Sequence, residues 1–190
     1  MTTLSFRSNF RWLGWALWLL VIAGSAALYS SSRWHSDILQ DDVIRQHVAA
    51  LATHLPSPAA GQLRVVHFLD PSCPCTPFTL EHLATLKPLL SKLNAQQWLI
   101  APDAGNQAAK RLATTIGATL LSESLPLRVG PAIAIWDPQG ELAYFGPYSL
   151  SMICGQDQLL EQILNTIVLK GWKEAPYSIE TGCFCPWPHS

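Results

Sequence analysis

One long apolar run dominates the start of the chain. No charged residue occurs from Trp12 to Tyr29, and at about 1.5 Å per residue a helix of this length crosses most of a bilayer core. Arg7 precedes the run and Asp37 follows it, so the positive-inside rule predicts a cytoplasmic N-terminus. We therefore expect a single membrane-spanning helix over residues 12–31.

Three interpretations of this run are open. A buried helix of a soluble protein is seldom this long and uncharged at the start of a chain, and the other two interpretations both export the rest of the chain. As an anchor, it leaves residues 1–11 in the cytoplasm and holds the remainder on the periplasmic side of a bacterial inner membrane. As a signal peptide, it would be cleaved near the small residues at positions 25–27. The apolar run exceeds the ~7 to 15 residues of a typical signal core, which favours the anchor.

Beyond this run, the spacing of apolar residues predicts alternating helices and strands. Recurrence at helical intervals from Ile44 to Leu55 predicts a helical stalk or linker within residues 32–60. Pro88, which lacks an amide hydrogen, is expected to kink or divide its helix. The expected strands are 63–69, 98–101, 118–121, 132–136 and 142–145, and the expected helices start near Phe78, at Asn106 and near Leu159.

This order of elements predicts an α/β fold in which helices flank a central mixed sheet. The sheet and its helices would occupy residues 61–170. A C-terminal tail, residues 171–190, is rich in proline and aromatic residues and carries two cysteines. One globular domain with appendages fits a chain of 190 residues, of which 49% are hydrophobic.

Charge excludes one class of partner. The formal net charge is −1, with 12 basic and 13 acidic residues. Nucleic-acid-binding domains carry a basic patch that neutralises phosphates. No nucleic acid is therefore expected among the partners.

The five cysteines carry the candidate chemistry. Cys73 and Cys75 form one Cys-x-Cys pair, Cys183 and Cys185 form a second, and Cys154 stands alone. Paired thiols indicate redox or metal chemistry. If Cys73 and Cys75 formed a disulfide across one residue it would be strained and labile, which suits thiol exchange.

The first pair lies where a predicted strand meets a predicted helix. Amide hydrogens at a helix N-terminus have no intrahelical partner, and together with the helix dipole they stabilise a thiolate. Asp70 is one step past the strand and could transfer protons near Cys73. A turn-forming Asp-Pro pair is the simpler account of that residue.

The segment HFLDPSCPCTPF and the Gly-Pro at Pro131 together resemble the thioredoxin superfamily. The resemblance implies a thioredoxin-like fold, a cis proline at Pro131 facing the site, and Cys73 or Cys75 as the attacking thiol. Ser72 stands where that superfamily has its first cysteine. The whole chain also resembles an uncharacterised group of bacterial membrane-anchored thioredoxin-like proteins with a Cys-Pro-Cys site and a cysteine-rich tail.

Three functions compete for the cysteines. In thiol-disulfide exchange, Cys73 and Cys75 are the working pair, Cys154 is a resolving thiol, and Cys183 or Cys185 is a relay. An extended tail reaches roughly 40 Å, far enough to return to the site.

The partners in thiol-disulfide exchange would be exported protein thiols or a membrane redox protein, with no cofactor. Alternatively the two Cys-x-Cys pairs bind copper(I) or zinc, or static disulfides fasten the tail to the domain.

Overall fold

The structure is a computed structural model of the chain. The chain divides into two compact units, 1–34 and 35–190. The structure describes residues 5–33, 42–56, 62–122, 127, 129–149, 158–170, 177–178 and 184–187.

The first unit contains a single long helix, α1, which spans Ser5–Arg33. Its described apolar side chains are exposed, including Trp12 at 75% and Trp15 at 61%. The indole rings of Trp15 and Trp18 meet edge to face, with their centroids 5.8 Å apart. Within the described residues, no helix combines the length and the hydropathy that crossing a bilayer requires.

The second unit alternates strands and helices, as the apolar spacing predicts. Its elements are α2 (Asp42–Leu51), β1 (Arg64–Phe68), α3 (Thr76–Lys92), β2 (Gln96–Ile100), α4 (Gln107–Ile116), β3 (Thr119–Leu121), β4 (Val129–Gly130), β5 (Ala132–Trp136), β6 (Leu142–Pro147), α5 (Leu159–Lys170), β7 (Tyr177–Ser178) and β8 (Cys185–Pro186).

Six of the strands form one mixed sheet in the order β3-β2-β1-β5-β6-β7. Strands β1, β2 and β3 are parallel, whereas β5 is antiparallel to both β1 and β6. The two-residue strand β7 adds to the edge in parallel with β6. Five core strands with β1 at the centre and helices on the faces make a thioredoxin-like fold, which confirms the α/β class expected from the sequence.

Buried residues form one cluster on each face of the sheet, because neighbouring strand residues point to opposite faces. On β1, Val65 belongs to one cluster and Val66 to the other. The first cluster contains the buried leucines and isoleucines of α3, α4 and α5. The second contains the apolar residues of α2 and two aromatic residues of the tail, Phe184 and Trp187. Helix α2 is thus part of the core.

Helix α4 has the ends that its sequence predicts. Asn106 caps the N-terminus, where its side chain accepts a hydrogen bond of 2.9 Å from the amide of Ala108. Gly117 ends the helix with φ of 74°, a left-handed conformation that glycine adopts without a Cβ clash.

Pro88 does not divide its helix, so of the two effects expected from the sequence only a kink stays a prediction. Helix α3 continues through this residue from Thr76 to Lys92. A proline inside a helix costs about 3 kcal/mol. Leu83, Leu86 and Leu90 are all buried in the first cluster, and burial of each leucine contributes about 1.5–3 kcal/mol. Core packing therefore outweighs the missing hydrogen bond.

His67 on β1 is fully buried and has a polar partner at each ring nitrogen. Nδ1 lies 2.6 Å from the hydroxyl of Tyr148, and Nε2 lies 3.0 Å from Oε1 of Gln97. Burial lowers the pKa of His67 to about 4, although the bond to Gln97 opposes the shift. The imidazole is therefore neutral at physiological pH and acts as a hydrogen-bonded core residue.

Acidification should destabilise the domain through His67. The pKa of this side chain falls from 6.5 in the unfolded chain to about 4 in the folded one, so the unfolded chain binds the proton first. The free energy of unfolding should decrease by about 3 kcal/mol as pH falls from about 6.5 to about 4. When unfolding by urea is measured across this pH range, the free energy of unfolding of His67→Gln should depend less steeply on pH than that of the parent chain. The exposed His54 supplies the control, His54→Gln, and equal pH slopes for both variants and the parent chain would contradict the assignment.

Candidate functional site

A hydrogen-bonded turn connects the end of β1 to the first cysteine. The carboxylate of Asp70 accepts hydrogen bonds from the amide of Ser72, at 2.8 Å, and from its hydroxyl, at 2.7 Å. The carbonyl of Asp70 accepts from the amide of Cys73 and the hydroxyl of Thr76, at 3.1 and 2.6 Å. These bonds match the turn-forming account of Asp70. Its role in proton transfer stays a prediction.

Cys75 is the N-cap residue of α3, so both cysteines lie at a helix N-terminus. The Sγ atom of Cys73 accepts a hydrogen bond of 3.3 Å from the amide of Cys75. An amide donor and the positive end of a helix both favour a thiolate at this position. The sequence-based placement of Cys73 and Cys75 between a strand and a helix therefore agrees with the structure.

Pro131 lies opposite the cysteines. Its peptide bond to Gly130 is cis, and Pro131 separates β4 from β5. The antiparallel register of β1 and β5 places Phe68 across from Ala132, so the residues that follow β1 meet those that precede β5. The Sγ atom of Cys73 lies 4.0 Å from the carbonyl oxygen of Gly130.

The tail returns to this point as an additional strand. Strand β8 runs antiparallel to β4, with Cys185 across from Gly130. Cys73 and Cys185 form a disulfide across 112 residues of sequence, with Cα atoms 5.9 Å apart. The bonded partner of Cys73 is therefore Cys185, whereas the sequence suggested Cys75. The strand pairing explains this outcome, because it fixes Cys185 beside Cys73.

Three sulfur atoms converge at the site. The Sγ atoms of Cys73, Cys75 and Cys185 all lie within 4.8 Å of one another. Cys75 also takes part in a disulfide. The Cys73–Cys185 disulfide is the bond for which both cysteines lie within the described residues. Cys73 and Cys75 are buried, whereas Cys185 is partly exposed. An incoming thiol would therefore meet Cys185 before the other two sulfurs.

Two of the predicted site residues, Cys154 and Cys183, lie outside the described residues. Their roles as resolving thiol and relay stay predictions.

Sequence reasoning missed the pairing of β4 with β8 and the burial of the tail. Phe184 and Trp187 are 5% and 8% exposed, and both belong to the second core cluster. The sequence contains a signal for this burial, because aromatic residues on both sides of Cys185 indicate a segment with apolar surface to bury.

Comparisons with known proteins give a family and several similar folds. A sequence model of the domain of unknown function DUF6436 matches residues 44–187. No curated protein matches the chain.

Three solved structures illustrate the similar folds. A candidate thioredoxin from Neisseria meningitidis is 19% identical, with 60% of this chain and 80% of that chain covered and a TM-score of 0.45. A secreted disulfide oxidoreductase of Mycobacterium tuberculosis, homologous to E. coli DsbE, is 17% identical, with 56% and 83% covered and a TM-score of 0.42. Copper-bound yeast Sco1 is 16% identical, with 61% and 84% covered and a TM-score of 0.34. At these identities and TM-scores none of the three bears on activity.

Proposed function

The chain belongs to the DUF6436 family, and we propose that this member carries out thiol-disulfide exchange through the Cys73–Cys185 bond. The observation that carries the proposal is the position of that bond. Its two sulfurs lie at a helix N-terminus on one side and beside a cis proline and a paired tail strand on the other. A third sulfur, of Cys75, lies within 4.8 Å of both.

The exchange begins at the more exposed sulfur. An incoming thiolate attacks Sγ of Cys185, a new sulfur–sulfur bond forms to the incoming group, and the Cys73–Cys185 bond breaks. The electron pair of the broken bond leaves on Cys73, whose sulfur the amide of Cys75 already contacts at 3.3 Å. A stabilised thiolate is the faster leaving group. A second thiolate of the substrate then releases Cys185, so that a dithiol is oxidised and the protein disulfide is reduced.

The same site runs in reverse once it is reduced. Cys73, as the stabilised thiolate, attacks a substrate disulfide, and Cys185 then displaces the substrate from Cys73. Cys75 is near enough to take part once its own disulfide is reduced, and Pro131 borders the reacting sulfurs on the side of β4. The substrates we propose are thiols or disulfides of exported proteins, and a membrane redox protein restores the starting state.

Redox titration of the full chain should detect reversible interconversion of the Cys73–Cys185 bond. Exchange proteins have potentials between about −120 and −270 mV, whereas static structural disulfides lie below about −300 mV. The measurement equilibrates the protein with glutathione at graded ratios, blocks free thiols, and locates the modified cysteines by mass spectrometry. We expect the transition to fall in the range of exchange proteins.

Cysteine variants assign that transition. Cys73→Ser and Cys185→Ser should each abolish it, because either change removes one sulfur of the bond. A bond that stays oxidised at all glutathione ratios, or a transition that survives both substitutions, would contradict the proposal.

Metal binding is a second candidate function, because three sulfur ligands converge within 4.8 Å. Thiolates are soft ligands that select copper(I), and zinc in structural sites usually takes four ligands. The reduced full chain should then bind one copper(I) with a sulfur-only shell in X-ray absorption spectra, and Cys75→Ser should remove one sulfur from it. Equal copper binding by the oxidised chain would argue against this site, because all three sulfurs are tied up in disulfides there.

We propose the inner membrane as the location, with the second unit in the periplasm. The uncharged sequence from Trp12 to Tyr29 and the exposed apolar side chains of α1 support it. The full chain, expressed in a Gram-negative bacterium, should resist alkaline extraction from membranes, and external protease should reach its C-terminal domain in spheroplasts. A soluble product shortened near residues 25–27 would instead identify a cleaved signal peptide.

A further inference from the structure

The end of the tail fills a cleft beside the site. We call this the tail cleft and define it by Phe68, Leu127, Gly130 and Ala132, which border or share a buried cluster with Phe184 and Trp187. The backbone of Cys185 pairs with that of Gly130. Residues 184–187 of the tail therefore contribute a strand pairing, two buried aromatic side chains and one disulfide.

Gly130 shapes the cleft for an aromatic side chain. A Cβ atom built on this glycine would lie 2.6 Å from Nε1 of Trp187 and 3.0 Å from the carbonyl oxygen of Phe68. Real Cβ atoms do not approach other atoms this closely. Glycine thus leaves the space that the indole occupies, two positions after the bonded cysteine.

Within residues 184–187 of the tail, one polar group has no partner among the described residues. Strand β8 is two residues long, and Nε1 of Trp187 is buried with no acceptor among the described residues. A buried donor without an acceptor destabilises the packed arrangement that buries it. The disulfide adds a covalent link to these contacts, and reduction removes that link.

We propose that, after reduction of the Cys73–Cys185 bond, the tail cleft binds an extended client peptide in place of the tail. The peptide carries a disulfide-bonded cysteine that is preceded by one aromatic residue and followed, two positions later, by another. The tail provides the template, since Phe184 and Trp187 flank Cys185 at these positions. Backbone pairing of the peptide with β4 supplies binding affinity, and contacts of its two aromatic side chains supply specificity for the peptide sequence. This inference rests on the proposed exchange activity and names its substrate class.

The chemistry balances without a further reactant. The Cys73 thiolate attacks the client cysteine held where Cys185 had been, which forms a mixed disulfide and releases the client's second sulfur as a thiolate. The Cys185 thiolate then attacks Cys73, re-forms the Cys73–Cys185 bond and releases the client cysteine as a thiolate. The client disulfide is reduced, the protein dithiol is oxidised, and the returning tail displaces the client.

The test traps the mixed disulfide in the full-length chain with both Cys75→Ser and Cys185→Ser, which removes the two sulfurs that lie within 4.8 Å of Cys73 and could release the client. The probe is a peptide of the tail sequence 181–190 with serine at position 183 and its remaining cysteine coupled to glutathione. A matched peptide has alanine at both aromatic positions, and glutathione disulfide serves as a probe without a peptide strand. Mass spectrometry follows the rate of coupling at Cys73.

We expect the aromatic peptide to couple at least about tenfold faster than the alanine peptide, because two aromatic side chains gain burial in the cleft. Equal rates for the two peptides, with normal coupling of glutathione disulfide, would overturn the inference and leave the proposed function intact. If glutathione disulfide also fails to modify Cys73, the proposed function itself fails.

Chain variants test whether the tail competes with the client. Adding Trp187→Ala to the chain with Cys75→Ser and Cys185→Ser should raise the coupling rate of the aromatic peptide, because the intramolecular competitor is weakened. Phe78, half exposed on α3, provides the matched control, and Phe78→Ala should leave the rate unchanged. Coupling that is unchanged or slower with Trp187→Ala would contradict competition for one cleft.

Discussion

The register between β1 and β5 is the constraint on which the site depends. It places Phe68 across from Ala132, and both strands lie in the centre of the sheet with every residue buried. A shift of one residue would move each side chain to the opposite face. The two core clusters therefore fix the register, and the register brings the loop after β1 to the loop before β5.

The disulfide uses the geometry that this register creates. Cys73 follows β1, and Cys185 reaches it because β8 pairs with β4 just before Pro131. The same sulfur of Cys73 contacts the amide of Cys75 at the start of α3. One cysteine is thus held by the helix and the other by the tail strand, which gives the two sulfurs different surroundings. In the proposed exchange, these different surroundings determine which sulfur is attacked and which one leaves.

The fold could be predicted from the sequence where its signals are local. The helical spacing of α4, its start at Asn106 and the short apolar run of β5 all depend on residues close together in the chain. The sequence allowed the tail to return to the site and to be fastened by a disulfide, but it could not identify Cys185 as the partner of Cys73, because that bond depends on strand pairing across 112 residues. For a similar reason the sequence could not decide whether Pro88 divides α3, since distant residues stabilise that helix.

The most direct test of the account is the stoichiometry of disulfide transfer from the oxidised full chain to a dithiol peptide. Mass spectrometry identifies the linked cysteines before and after the reaction, because backbone fragmentation between Cys73 and Cys75, and between Cys183 and Cys185, separates the neighbouring cysteines. The account predicts a Cys73–Cys185 linkage at the start and one new peptide disulfide for each such linkage lost. A starting linkage between Cys73 and Cys75, or a Cys73–Cys185 bond that persists while the peptide stays reduced, would contradict it.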